Sequence, residues 1–328
     1  MSSRIAESSR VTLETIKAAR ERIASEIIRT PLVISDAPGD RVGTSVYLKL
    51  ESLQRMGVFK LRGALNKVLT LSEEERQRGL ICASSGNHGL GVAFASARFG
   101  IPCTVVLPEN ASPYKISLLK GLGAIIITHG ITSDVRQEKV NELSREHGYT
   151  EVHPFADPVL ISGQGTVGLE IVEDLDNVEE VYVPIGGGGL ISGVALAVKE
   201  LRPSTRVYGV EPKNSNAMSV ALSHGGPLAL STVETIADGL AARITEEINY
   251  SLVSRYVDEI ILVTDQEILE ATFFLLERAR VLVEPSGAAS LAGLFANPNR
   301  TGRGVAVMSG GNITLSQLEE LRRTVGGC

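Results

Sequence analysis

Lys60 stands between two glycines in the stretch Met56-Gly57-Val58-Phe59-Lys60-Leu61-Arg62-Gly63-Ala64. A strand-like run, Val46 to Leu50, ends just before it. Helical spacing begins just after it, with Leu61, Ala64, Leu65 and Val68 three and four apart. A lysine on such a turn is held by a buried helix. An amine withdrawn from water has a lowered pKa and becomes a usable nucleophile. That is what a Schiff base with a carbonyl cofactor requires. Taken alone, the same pattern also fits a solvated lysine, the commoner case.

Three further stretches place glycines and small polar groups between a strand and a helix. Ser84-Ser85-Gly86-Asn87-His88-Gly89 crowds hydroxyls, an amide and backbone N–H groups at a helix start, where carboxylates and other anions bind. Ser and Asn also favour plain caps, but six such residues together exceed what a cap needs. Gly186-Gly187-Gly188-Gly189 follows a strand, Val181 to Ile185, and precedes a helix. Four glycines cost conformational entropy, and their size lets N–H groups close on a phosphate. The run is neither the spaced dinucleotide fingerprint nor a P-loop, so it suits a single phosphate group. Ser309-Gly310-Gly311-Asn312 follows the last strand in the same way.

These stretches need a parallel scaffold. Apolar runs such as Leu80 to Ala83, Cys103 to Leu107 and Ala124 to Thr128 alternate with helical segments closed by Gly100, Gly123 and Gly148. That is a βαβ series. Ile125-Ile126-Ile127 reads as a strand covered on both faces. Thr12 and Ser72 read as helix caps, Ser72 with Glu75 as a capping box. One helix is expected from Gln266 to Arg280. Parallel sheets gather binding groups at the carboxyl ends of their strands, so the ends after residues 83, 185 and 308 are expected to be neighbours.

Bulk properties bound the function. The chain has 328 residues, 43% of them hydrophobic, enough for two lobes or one large α/β domain. The net charge of -6, with acids and bases interspersed, argues against nucleic acid as a partner. Cys82, Cys103 and Cys328 lack metal-like spacing and read as reduced thiols of a cytoplasmic protein. No leader-like or membrane-spanning apolar run is present in the sequence.

Together, the four stretches with Thr235-Ile236-Ala237-Asp238-Gly239-Leu240-Ala241 and Glu284-Pro285-Ser286-Gly287-Ala288 resemble the fold type II (tryptophan synthase β-like) pyridoxal-phosphate enzymes. The likeness is greatest to the threonine/serine dehydratase and serine racemase group, and it runs in the family's order from about residue 50 to residue 312. It implies a two-lobed α/β fold of parallel sheets. Residues 1–81 with 153–328 would form the large cofactor-binding domain, and 82–152 a smaller inserted one.

The resemblance also implies roles. Lys60 would carry pyridoxal 5'-phosphate, with Phe59 beside its ring, Asn87 on the 3-hydroxyl and Gly239 against the ring face. Gly186, Gly187, Gly188 and Gly189 would hold the phosphate, and Ser309 would face the pyridine nitrogen. Ser84, Ser85, Asn87 and His88 would receive the substrate, and Ser85 matches the serine opposite the lysine in racemases. Lys60, once free, would remove the Cα proton. A neutral serine at the pyridine nitrogen weakens the electron sink, which favours prompt loss of a β-hydroxyl. The expected reaction is dehydration of L-threonine or L-serine to a 2-oxo acid and ammonia. The alternatives are a serine-type racemase, or a dehydratase for hydroxyaspartate or phenylserine. A non-catalytic binder of phosphorylated ligands and an NAD-linked oxidoreductase are set aside by Lys60 and by the missing fingerprint. A homodimer or larger homo-oligomer is expected.

The sequence departs from the family at three points. Val58 stands where serine is frequent, and Met56 where threonine is common. The resemblance implies a divalent cation (Mg) site of a Glu, a backbone carbonyl and an acidic residue; Glu211 and Ser215 match the first two, but Ala217 occupies the third. No C-terminal regulatory module follows the last helix of the given sequence, so feedback by isoleucine is not expected.

Overall fold

Alternating apolar strands and amphipathic helices close into two separate sheets. The computed structural model describes residues 10–84, 86–111 and 113–325. Ser85 therefore lies outside the described residues. The strands are β1 (Leu32–Ile34), β2 (Val46–Lys49), β3 (Leu80–Ala83), β4 (Cys103–Leu107), β5 (Ile125–Thr128), β6 (Thr150–Glu151), β7 (Glu180–Pro184), β8 (Arg206–Pro212), β9 (Glu259–Val263) and β10 (Gly304–Val307). The helices in the first half are α1 (Leu13–Ile23), α2 (Asp36–Val42), α3 (Lys60–Thr70), α4 (Glu73–Arg78), α5 (Asn87–Arg98), α6 (Pro113–Gly121) and α7 (Ser133–His147). Then come α8 (Pro158–Asp174), α9 (Gly189–Leu201), α10 (Ala217–His224), α11 (Glu247–Tyr256), α12 (Asp265–Phe274), α13 (Pro285–Ala296) and α14 (Leu315–Val325).

One compact unit joins the described residues up to Ile27 to Lys60–Gln164. Its sheet runs β5-β4-β3-β6, all parallel. β4 is buried along its whole length, and α7 lays Val140 and Leu143 on Ile81 and Val106. Thr12 caps α1 as expected, in a capping box with Thr15 that the sequence reading did not include, and the capping box expected of Ser72 and Glu75 forms. The unit reaches beyond the 82–152 insertion because α3 packs on α5 and α1 packs on α3. Gly91 makes that packing close: a Cβ there would sit 3.2 Å from the carbonyl carbon of Lys60 and from the nitrogen of Leu61. The reading of Ile125-Ile126-Ile127 as a doubly covered strand is corrected. β5 is an edge strand, and Ile125 is 55% exposed. An apolar run reports hydrophobicity, not how many neighbours the strand acquires.

The other unit joins Ile28–Phe59 to residues from Gly165 onward. Its sheet runs β1-β2-β10-β7-β8-β9, parallel except for the antiparallel β1–β2 pair. Apolar clusters fill both faces. α13 supplies Ala288, Ala289, Leu291 and Leu294 to one, and α9 supplies Ile191, Val194, Ala195 and Val198 to the other. Each fully buried Val, Leu or Ile stabilises the fold by roughly 1.5–3 kcal/mol. Lys49 is fully buried, its Nζ 2.6 Å from Glu170 Oε2 and donating to Thr30 O at 2.7 Å. The helix expected over Gln266–Arg280 changes character at its end. α12 stops at Phe274, Leu275–Ala279 forms a π-type turn, and Arg280 takes φ 60°.

The topology decides which loops meet. β7 and β10 are parallel neighbours, so the glycine run and the Ser309 loop leave adjacent carboxyl ends. The end after residue 83 belongs to the four-stranded sheet, so it does not share a sheet edge with the other two. A parallel βαβ pattern does not reveal where one sheet stops and another begins.

Candidate active site

In the six-stranded unit the glycine run forms an anion cradle. Gly188 precedes α9 as its N-cap with φ 97°, and no side chain caps it. The N–H groups of the first turn of α9 and the helix dipole are thus available to a phosphate. Side chains are excluded by contact as well as by conformation. A Cβ on Gly188 would lie 2.7 Å from Met218 Cε and 3.1 Å from Asn249 Cβ. On Gly186 it would lie 3.0 Å from Gly239 O. Thr245 Oγ1 donates to Gly187 O at 3.1 Å and fixes the cradle from behind.

The same unit lines up the residues that the resemblance puts beside the ring. Gly239 N donates to Ser286 Oγ at 2.8 Å. Ser309, 4% exposed, donates through Oγ to Ser286 O at 3.4 Å. Phe59 packs against the α9-side core, and its N–H donates to Ser309 O at 3.1 Å. Gly186, Gly239, Ser286 and Ser309 thus follow one another through direct contacts. Ser286 was not singled out for a role from sequence; its hydroxyl accepts from Gly239 and its carbonyl accepts from Ser309, so it ties the two stretches together.

In the four-stranded unit, Lys60 opens α3. Its Nζ donates to Pro154 O at 2.6 Å, and loss of water lowers the amine pKa to about 8. The segment His153 to Asp157 thereby lies beside Lys60, and the motifs read from the sequence did not include it. His153 Nδ1 accepts from Ala156 N at 2.9 Å. Burial, then the charge of Lys60, hold this imidazole at a pKa of about 4, with Asp157 opposing. Asp157 caps α8 through Val159 N at 2.7 Å and pairs with Lys67 Nζ at 2.6 Å.

The loop leading into α5 is built around Ser84. Its Oγ accepts from Gly86 N at 3.0 Å and from Gly89 N at 2.8 Å. Asn87 is the first residue of α5 and half-buried. His88 turns its ring inward, with Nε2 2.8 Å from Val152 O and Nδ1 buried without a partner. Burial, then the nearby Lys60 charge, push its pKa down to about 3. The ring is neutral, so Nε2 carries the proton and donates. His88 therefore offers an anion its main-chain N–H rather than a positive charge.

The set fits pyridoxal phosphate: a small-residue phosphate cradle, a buried neutral hydroxyl for the ring, and a desolvated amine. A divalent cation does not fit. Glu211 Oε1 accepts from Met218 N at 2.9 Å, and Oε2 from Ser219 N at 2.9 Å and Ser219 Oγ at 2.6 Å. The carboxylate caps α10, and burial raises its pKa to about 7 against those hydrogen bonds. Ser215 matches through its main-chain carbonyl, while its Oγ donates to Leu240 O at 2.8 Å; Ala217 brings only a methyl group where the acidic ligand is needed. Among the described residues, no three His, Cys, Asp or Glu side chains cluster as metal ligands.

Comparison with known proteins identifies the family. The L-threonine ammonia-lyase of Thermotoga maritima is 44% identical over 312 residues, covering 95% of this chain and 78% of that protein. The L-threo-3-hydroxyaspartate ammonia-lyase of Saccharomyces cerevisiae is 37% identical over 305 residues, covering 92% and 94%. The structure of maize serine racemase superposes with a TM-score of 0.90 at 35% identity, covering 96% of this chain and 98% of that one. Residues 23–310 match the family described as pyridoxal-phosphate dependent enzyme, and with a cradle and an amine suited to that cofactor, the chain belongs to this family.

Proposed function

We propose that the chain is an ammonia-lyase that converts a small β-hydroxy amino acid, L-threonine or L-serine, to a 2-oxo acid and ammonia. The observation that carries this is the Lys60 amine, desolvated to a pKa of about 8 and aimed at Pro154 O. At neutral pH about a tenth of such an amine is unprotonated, far more than of an ordinary lysine. It can attack an aldehyde and later accept the Cα proton. When bound, pyridoxal phosphate supplies an aldehyde that condenses with amines and a ring that takes up the negative charge left at Cα. Lys60 would hold that aldehyde, Gly186–Gly189 the phosphate, and Ser309 the ring nitrogen. A hydroxyl at that nitrogen leaves the ring without a full positive charge and favours early departure of the β-hydroxyl. Main-chain N–H groups around Ser84–Gly89, with Asn87, would orient the substrate carboxylate.

The net reaction balances. The Cα–H and Cβ–O bonds break, water leaves, and the released enamine takes water back to give the 2-oxo acid and ammonia. Similarity to a serine racemase favours one second reading, return of the Cα proton on the opposite face by Ser85. We also propose a cytoplasmic, homo-oligomeric enzyme acting on a small amino acid. Among the described residues, no helix is long and apolar enough to cross a membrane.

The test is product analysis of the purified protein with hydroxy amino acids of both Cα and both Cβ configurations. Ammonia and 2-oxo acid from L-threonine or L-serine support the lyase. The mirror-image amino acid without ammonia supports the racemase. Ammonia from hydroxyaspartate alone moves the substrate class. Visible absorbance that survives in Lys60→Ala would sink both.

A further inference from the structure

Met56 adopts φ 62°, ψ 12°, a left-handed conformation that a residue with a Cβ rarely takes, and Gly57 follows with φ 67°. Such backbone persists only where surrounding structure over-determines it, and it clusters at functional sites. Here the surroundings are the loop after β10. Asn312 Nδ2 donates to Met56 O at 2.8 Å. The Asn312 carbonyl oxygen lies so near Gly57 that an added Cβ would approach it to 2.6 Å. Main-chain bonds continue the seam: Gly311 N donates to Gly57 O at 2.9 Å, Val58 bridges Gly310, and Phe59 N donates to Ser309 O at 3.1 Å. The next residue is Lys60.

We propose that Asn312 is a positioning residue for the catalytic lysine. Its side-chain amide holds the Met56–Gly57 pair in the left-handed form and so fixes the main chain up to Phe59, the residue bonded to Lys60. Among the described residues, Asn312 Nδ2 is a side-chain donor to the strained peptide, whose own N–H at Gly57 donates to Gln54 O at 2.8 Å; the other bonds of the seam are backbone bonds from Gly57 onward. The loop that presents Ser309 thereby also sets the start of the lysine segment. The inference rests on the reading of Lys60 as the cofactor-bearing lysine.

The test is a double-mutant cycle in the cofactor-loaded enzyme. Asn312→Asp keeps the shape but loses the donor, and it serves where Asn312→Ala fails to fold. Met56→Gly removes the Cβ that makes the left-handed turn costly, so it removes the need for the clamp. With the reacting groups displaced, Asn312→Asp is expected to lower kcat about 30-fold with KM changed less than about threefold. It should also weaken visible absorbance and cofactor retention. In the Met56→Gly background the same change should lower kcat only about threefold, since a glycine holds this φ unaided. An equal loss in both backgrounds, or no loss in either, overturns the proposal. Lys60→Ala is run beside them. If it keeps the visible absorbance, the reading of Lys60 fails. If it loses it while Asn312→Asp matches the unsubstituted enzyme, only the role of Asn312 fails.

Discussion

Lys60 Nζ and the carbonyl oxygen of Pro154 are 2.6 Å apart, a donor–acceptor pair that holds the amine where burial lowers its pKa to about 8. Labelling of Lys60 by an amine-directed acylating reagent in cofactor-free protein, followed by mass spectrometry, should therefore titrate near pH 8. Exposed lysines should titrate near their ordinary value of about 10.4. The folded-state pKa lies below the unfolded one, so the native state binds fewer protons between the two. This group's contribution to stability consequently rises with pH across that window.

His88 should not titrate in the working range. Its ring is neutral, with a pKa of about 3, and its Nε2–H is spent on Val152 O. His88→Gln should leave the shape of the kcat–pH profile between pH 5 and 8 unchanged. It should lower stability by about 1–3 kcal/mol, the cost of disturbing a buried polar contact, read from denaturant unfolding. A midpoint that disappears from the profile would show a titrating histidine instead.

Gly188→Ala should weaken cofactor binding sharply. The new Cβ would meet Met218 Cε at 2.7 Å and Asn249 Cβ at 3.1 Å, on a residue already at φ 97°. The α9 N-terminus must shift to admit it. A rise of about tenfold or more in the cofactor dissociation constant is expected, of order 1.4 kcal/mol, from fluorescence titration. Gly225→Ala, where a Cβ meets nothing within 4 Å but φ is 88°, serves as a control for backbone strain alone.

The Lys49–Glu170 pair is a stability element away from the site. Both side chains are buried, with 0% and 3% exposure, and without Glu170 the buried Lys49 ammonium keeps only Thr30 O and, at 3.8 Å, Asp174 Oδ2 among the described residues. Glu170→Ala should cost about 3–5 kcal/mol in urea unfolding, and Lys49→Met with Glu170→Leu together much less.

Chelation should not matter to the unsubstituted enzyme. Glu211 is engaged by Met218 and Ser219, and Ala217 offers no ligand. Thermal midpoints with magnesium and with a chelator should coincide, because a cation that does not bind the native state cannot stabilise it. A magnesium-dependent rise would reinstate the site.

How much of this was legible in the chain varies with how local the signal is. The caps at Thr12 and Ser72, the strand at Cys103–Leu107 and the glycine run before α9 form as their own residues dictate. The π-type turn at Leu275–Ala279 and the edge placement of Ile125 were not legible, because each depends on what packs against an otherwise ordinary apolar segment. His88 shows the same limit within the site. The resemblance put it among the groups that receive the substrate, and only its burial against Val152 makes its ring a neutral donor to that carbonyl.

By itself, the order of residues settled the chemistry on offer: an amine after a turn, a glycine run before a helix, a serine after the last strand. Those are short-range choices of side chain and backbone freedom, and no distant contact can alter them. Tertiary structure decided which of them meet. Pairing β7 with β10 sets Gly186 and Ser309 on neighbouring strand ends, and burial beside Pro154 lowers the pKa of the Lys60 amine to about 8. Proximity and desolvation belong to the folded chain, because both require residues far apart in sequence to exclude water together.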